Sequence, residues 1–235
     1  MTSFVAELKK PVLISVEGNI GAGKTTIIEQ MQKRLASDKV VFLREPVDLW
    51  ETIKDSDGEG ILVKFYKDPK KYAFAFQVMA YATRLSMIRD MVRQHPECEM
   101  IVCERSLDAD KNIFAKMLHN DGMIDEVCFQ IYNKFYSEYA EDFKLQGIVY
   151  IDADPEICSE RIKKRARDGE SSIGLDYLQK CQDFHAKWLE DGQDLGGSSV
   201  LHIKTNENAT YDENDTDDCG NKWIARIEDF LQNLV

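Results

Sequence analysis

A three-layer α/β fold, with one five-stranded parallel sheet and helices on both faces, is the architecture that the 235-residue sequence predicts. Three observations predict it. Five short apolar runs recur along the chain, helical patterns separate them, and a glycine-rich turn joins the first run to the first helix. Strand and helix in alternation are the pattern of a doubly wound parallel sheet. A chain of this length buries a full core without staples.

The first run, Pro11-Val12-Leu13-Ile14-Ser15-Val16, is apolar enough to be a strand buried on both faces. It leads into Gly18-Asn19-Ile20-Gly21-Ala22-Gly23-Lys24-Thr25, which fits G-x-x-x-x-G-K-[ST] at every fixed position. The glycines allow a tight turn whose successive N–H groups point inward at phosphate oxygens. Lys24 adds a mobile positive charge. Thr25 offers a hydroxyl to Mg²⁺ and, with Thr26, opens a helix expected over 25–36 whose positive dipole end faces the anion. A bare strand-to-helix turn needs neither Lys nor Thr there. The fold expected is therefore of the P-loop NTPase type.

The remaining strands are expected over 40–43, 100–103, 148–151 and 200–203. A long helix is expected over 69–91, with Pro69 in its first turn. Another is expected over 123–139, where Ile124, Val127, Cys128, Ile131 and Phe135 recur at helical spacing. These two helices carry enough apolar surface for a subunit interface, although core packing explains much of the same pattern. Residues 205–221 are acidic and polar and are expected to be mobile, ahead of a closing helix over 223–234. No repeat or linker interrupts the chain. One domain is expected over 1–235, with 1–10 as an N-terminal tail.

The net charge of −12 argues against nucleic acid and against an anionic membrane surface as partners. A small nucleotide stays compatible, because a local nest of N–H groups and a few Arg or Lys hold a phosphate within an acidic protein. No apolar run approaches ~18 residues, so no membrane span is expected. The first ten residues show no signal-peptide core. The six cysteines form no C-x-x-C pair, and the expectation is reduced thiols in a cytoplasmic protein.

In parallel sheets ligands sit outside the carboxyl ends of the strands, so the residues that follow each strand are informative. Arg44-Glu45-Pro46, Glu104-Arg105-Ser106 and Asp152-Ala153-Asp154 follow the second, third and fourth. Glu45 suits a general base acting on a hydroxyl. Glu104 stands where phosphate-loop enzymes hold Mg²⁺ or its water shell, and Arg105 can bridge to substrate oxygens. Two acidic strand ends beside an intact phosphate loop argue against surface ion pairs alone. Further on, Arg161-Ile162-Lys163-Lys164-Arg165-Ala166-Arg167 is a basic helix end with Arg161 and Arg165 one turn apart. A Gly/Ser loop follows. This composition suits a lid over 161–174 that closes guanidinium groups onto a phosphoryl group; a solvated charge run is the competing explanation.

These residues resemble the deoxynucleoside kinase family, the group with deoxycytidine kinase, deoxyguanosine kinase and the insect multisubstrate enzyme. The resemblance spans about 11–206. Beyond the phosphate loop it rests on Glu45-Pro46-Val47 with Trp50, Tyr66-Lys67-Asp68-Pro69-Lys70-Lys71-Tyr72, Phe76-Gln77, Glu104-Arg105-Ser106 with Asp110, Ile113-Phe114-Ala115, and the lid. It implies ATP-dependent 5′-phosphorylation of deoxynucleosides for salvage. Glu45 is then the base for the 5′-hydroxyl, with Arg105 holding that hydroxyl and the phosphate, and Lys24 serving the phosphates. Glu104 organises Mg²⁺ with Thr25. Tyr66 and Glu170 take the 3′-hydroxyl, Gln77 pairs with the base edge, Phe114 stacks on the base, and Trp50 and Phe76 line the pocket. Arg165 and Arg167 stabilise the phosphoryl group. The lid departs from the family at Asp168-Gly169-Glu170, which replaces a more acidic run. The family also implies a homodimer and feedback inhibition by a deoxynucleoside triphosphate.

The family's specificity positions fall at Ala80, Arg84 and Asp110. Asp110 can accept from an exocyclic amine, whereas thymine sets O4 against that carboxylate and its methyl against Arg84. Purine deoxynucleosides and deoxycytidine are therefore expected ahead of thymidine, unless Arg84 and Asp110 are only a structural ion pair. Two rivals stay open. A thymidylate kinase-type monophosphate kinase shares the loop and Arg-Glu-Pro but continues with Gly-Gly where this chain has Val47-Asp48. A non-catalytic scaffold subunit has no need of Lys24, Thr25, Glu45 and Arg105 together.

Overall fold

A computed structural model of the chain describes residues 10–35, 37–192, 194–212 and 214–234. Most of the tail read over 1–10, and Ala36, lie outside the described residues. Every apolar run becomes a parallel strand. β1 (Val12–Gly18) leads to α1 (Lys24–Leu35), β2 (Val40–Leu43), a single turn α2 (Val47–Trp50), α3 (Ile61–Lys67), α4 (Pro69–Gln94) and β3 (Met100–Glu104). The short α5 (Leu107–Ala109) passes through a π-helical turn, Asp110–Ala115, into α6 (Lys116–Asn120) and α7 (Glu126–Tyr139). Then come β4 (Gly147–Asp152), α8 (Pro155–Arg165), α9 (Leu175–Leu189), β5 (Ser199–Lys204) and α10 (Cys219–Gln232).

The sheet order is β2–β3–β1–β4–β5. Alternation along each strand builds the three layers. Ile14, Val16, Val102, Val149 and Ile151 pack on one face against Ile27, Met31, Ile162 and Ile227 of α1, α8 and α10. Leu13, Ile101, Cys103, Ile148 and Tyr150 pack on the other against Ile88, Met117, Cys181 and Trp188 of α4, α6 and α9. A satellite cluster of Trp50, Phe65, Phe76 and Ala80 stands beyond the strand ends. β1 is central, with Val16 in register with Glu104. The carboxyl ends of β1, β2 and β3 thus deliver the phosphate loop, Glu45 and Glu104-Arg105 to one side.

Three helix ends differ from expectation by three residues or more. α4 begins at Pro69 as expected, with the Asp68 carboxylate accepting from Lys71 N at 3.3 Å, but continues to Gln94. α7 starts three residues later than expected, because the Ile124 N–H is used in a turn onto Leu118 O and Asp125 accepts from Cys128 N at 2.9 Å. α10 starts earlier, at Cys219, capped by Asp218 through Asn221 N at 3.0 Å. The same carboxylate accepts from Thr210 N at 2.8 Å and Tyr211 N at 3.2 Å, so the acidic segment expected to be mobile has its own hydrogen-bonded frame. All six cysteines are free.

Candidate active site

Backbone conformation shapes the phosphate loop. Gly18 has φ +147°, and a Cβ there would lie 2.3 Å from the Ile151 carbonyl oxygen; at Gly21 (φ +82°) one would lie 2.6 Å from the Cys158 carbonyl oxygen. No side chain fits either place. The Lys24 ammonium, nearly buried, donates to Gly18 O at 3.2 Å and Asn19 O at 2.8 Å. Burial and the Arg105 charge lower its pKa to about 8, against the pull of Glu104 and Glu45. Asn19 anchors the loop to α9 through Leu178 O at 2.8 Å. Residues 20–26 line a cavity of about 670 Å³, while Gly18 and Asn19 support it from behind. At its mouth Thr25 Oγ1 donates to Glu104 Oε1 at 2.7 Å.

Glu45 lines the same cavity as the loop. Its Oε1 accepts from Arg84 Nη2 at 3.2 Å and forms an ion pair with Arg105 Nε, also at 3.2 Å. Burial pushes its pKa up, but Arg105, Arg84 and Lys24 outweigh burial and hold the carboxyl below its ordinary value. Arg105 reaches this place from a left-handed backbone, φ +64°, and its guanidinium lies 4.7 Å from the Phe114 ring centroid.

Arg84 is buried with its donors committed. Nε and Nη2 fork onto Asp110 at 2.9 and 3.3 Å, and Nη1 donates to Glu104 O at 2.7 Å. Burial opposes its charge, but Asp110 and Glu45 more than compensate and raise its pKa. Asp110 lines the cavity and Arg84 does not. The ion pair foreseen as an alternative is thus present. Trp50, Phe76, Gln77, Ala80 and Phe114 line the same end. Phe76 stacks on Phe65 at 4.7 Å and meets the Trp50 edge at 5.3 Å, so the wall is a packed aromatic cluster.

Tyr66 and Glu170 also line the cavity. Burial, then Glu170 and Glu45, raise the Tyr66 pKa, so its hydroxyl keeps its proton. Both Glu170 oxygens are held by the basic segment: Arg165 Nη2 at 2.8 and 2.7 Å, and Arg167 Nη1 at 3.2 Å. Arg161 behaves differently. It clasps backbone carbonyls, Ala22 O at 3.1 Å, Thr205 O at 2.9 Å and Glu207 O at 3.0 Å, tying the phosphate loop to the segment after β5.

Two features depart from the sequence reading. Asp152, at the end of β4, does not line the cavity; it contacts His202 at 2.9 Å and Lys204 at 3.0 Å instead. Conversely Tyr177, Trp223 of the closing helix and, from the segment read as a mobile acidic loop, Thr205, Glu207, Asn208 and Tyr211 do line it. The one signal for them was their place after the fifth strand. The polar composition of 205–208 otherwise hid that stretch.

The deoxynucleoside kinase family matches residues 14–229. The chain is similar to a probable deoxycytidine kinase of fowlpox virus, 35% identical, with 94% of this chain and 88% of the relative covered. It is 30% identical to the deoxycytidine kinase of Homo sapiens, over 94% of this chain and 91% of that one. It is also 30% identical to the mitochondrial deoxyguanosine kinase of Xenopus laevis, over 75% and 72%. The chain belongs to the deoxynucleoside kinase family. It is a phosphotransferase that phosphorylates deoxynucleosides, which sets aside the monophosphate kinase and scaffold alternatives.

Proposed function

We propose that the chain transfers the γ-phosphoryl group of ATP to the 5′-hydroxyl of a 2′-deoxynucleoside in nucleotide salvage, with purine deoxynucleosides and deoxycytidine ahead of thymidine. The observation that carries this reading is Glu45, an ionised carboxylate held at 3.2 Å by two guanidinium groups in the cavity that the phosphate loop lines. Glu45 takes the proton of the 5′-hydroxyl as that oxygen attacks. Arg105 holds the hydroxyl and the incoming phosphate, and Lys24 follows the developing charge. Little covalent help is needed; alignment and charge neutralisation supply the acceleration. Thr25 and Glu104 are hard oxygen donors 2.7 Å apart, a fit for Mg²⁺, which when bound with ATP neutralises phosphate charge. Tyr66 and Glu170 take the 3′-hydroxyl. Arg165 and Arg167, on the 161–174 segment, close as a lid and exchange part of their hold on Glu170 for phosphate.

The base lies between Phe114 and the Trp50–Phe76 wall and pairs with Gln77. Asp110, forked onto Arg84, accepts from an exocyclic amine and disfavours the thymine O4. The donor's base occupies the far end, near Glu207 and Tyr211. Because one cavity serves both nucleotides, a deoxynucleoside triphosphate fits it as a feedback inhibitor. A homodimer forms on α7 and α4. Val127, Ile131 and Phe135 of α7 form an exposed apolar stripe at i, i+4 and i+8 that a second copy covers. Six free thiols suit a cytoplasmic setting.

An acceptor panel with ATP and Mg²⁺ tests the reading. Deoxyadenosine, deoxyguanosine and deoxycytidine should give product well ahead of thymidine, and thymidine monophosphate none. Thymidine as the best acceptor would discard the Arg84–Asp110 argument, and a requirement for another phosphate donor would discard ATP.

A further inference from the structure

Glu17 has no part in the chemistry above, yet it is a carboxyl with no exposure at all, one residue before the phosphate loop. An unneeded carboxyl in that place is expensive. Its Oε1 accepts from Ser106 Oγ at 2.6 Å. Ser106 Oγ also accepts from Ala109 N at 3.0 Å, the cap of α5, so its single proton is directed to Glu17.

Between Glu104 and Ser106 stands Arg105, a non-glycine residue at φ +64°. Such a backbone persists only where its surroundings over-determine it, and it clusters at functional sites. Two bonds from consecutive residues of β1 pin this one. Arg105 N donates to Val16 O at 3.1 Å on one side, and the Ser106–Glu17 bond closes the other. From the pinned turn Arg105 Nε reaches Glu45 at 3.2 Å. Glu17 Oε2 and Arg105 Nη1 are buried and have no hydrogen-bond partner among the described residues. Burial raises the Glu17 pKa, opposed by the Ser106 bond and the Arg105 charge.

We infer that Glu17 is a positioning residue: through Ser106 it holds the 104–106 turn in its left-handed form and so aims the Arg105 guanidinium at Glu45 and the hydroxyl to be phosphorylated. The catalytic consequence rests on the kinase mechanism proposed above; the positioning itself does not.

The test uses the full chain with Glu17→Met, which removes the acceptor at similar length, Glu17→Gln, which keeps an oxygen for Ser106, and Ser106→Ala. Glu17→Met and Ser106→Ala should each lower kcat with deoxycytidine about 10–100-fold, while KM for nucleoside and ATP moves less than about threefold. Glu17→Gln should recover to within about threefold of the unmodified chain, and Glu17→Met with Ser106→Ala should be no worse than the slower single variant. In ¹⁵N-arginine NMR spectra the Arg105 Nε–H should be protected from exchange in the unmodified chain and Glu17→Gln, and lose protection in the other two. Unchanged kcat in Ser106→Ala, Glu17→Gln as impaired as Glu17→Met, or Arg105 protection that survives Ser106→Ala would each overturn the inference. Should Glu17→Met fail to fold, Ser106→Ala carries the same test with a smaller change. If the unmodified chain phosphorylated no deoxynucleoside, the proposed mechanism would fail, and the Arg105 exchange would still judge Glu17.

Discussion

Two guanidinium groups and one ammonium decide the state of Glu45. Burial alone would favour the neutral acid, but Arg105, Arg84 and Lys24 reverse that preference. A depressed pKa means that the carboxylate is the working form at every pH above it, and activity is lost only as pH falls through that low value. The acid limb of kcat/KM is therefore expected below the ordinary glutamate value of about 4.3. Arg84→Met alone would leave Asp110 buried and unpaired, so Arg84→Met with Asp110→Ala is the cleaner change. It removes a cation 3.2 Å from Glu45. The acid limb should move up in pH, and thymidine use relative to deoxycytidine should rise. An unmoved limb would mean that Arg84 does not tune Glu45, and an unchanged substrate ratio that the pair does not read the base.

Among elements, the β1–α1 junction tolerates least. Gly18→Ala sets a Cβ 2.3 Å from Ile151 O at φ +147°; backbone strain alone should destabilise by about 1–3 kcal/mol, visible as a lower Tm and weakened ATP binding. A Tm equal to that of the unmodified chain would show that the loop relaxes around the added methyl. On α7, Ile131→Glu places a charge in the middle of the apolar stripe. Sedimentation should then show a species near 27.0 kDa where the unmodified chain shows twice that mass. A monomer in both would remove the dimer. The strands were legible because each is an apolar run bounded by polar residues, and the sheet brings Thr25, Glu45 and the Glu104-Arg105 pair together from three separate stretches. The start of α10 was not, since its first turn, Cys219-Gly220-Asn221-Lys222, is polar and only the Asp218 cap announces it. Met123 and Ile124 looked like the first turn of α7, because burial in a turn leaves the same apolar mark as burial on a helix. Arg161 could not be read at all: a guanidinium that binds carbonyls has no sequence pattern to distinguish it from one that binds phosphate.

At the scale of the molecule, one cavity runs from Gln77 and Asp110, past Glu45 and the phosphate loop, to Glu207 and Trp223. Positive charge is concentrated in that cavity: Lys24, Arg44, Arg105, Arg161, Lys164, Arg165 and Arg167 all line it in a protein of net charge −12. A deoxynucleoside triphosphate that matches the accepted base should therefore compete with both nucleoside and ATP. Inhibition competitive with ATP alone would place it only at the donor end. Glu45→Gln offers the sharpest view of the whole arrangement, since it keeps the shape of the site and removes the base. Calorimetry of deoxycytidine binding and single-turnover phosphorylation, side by side, should give a Kd within about threefold of the unmodified chain and a chemical step slower by about 10²–10⁴-fold. A chemical step that stayed within a few-fold, with binding intact, would show that Glu45 is not the base.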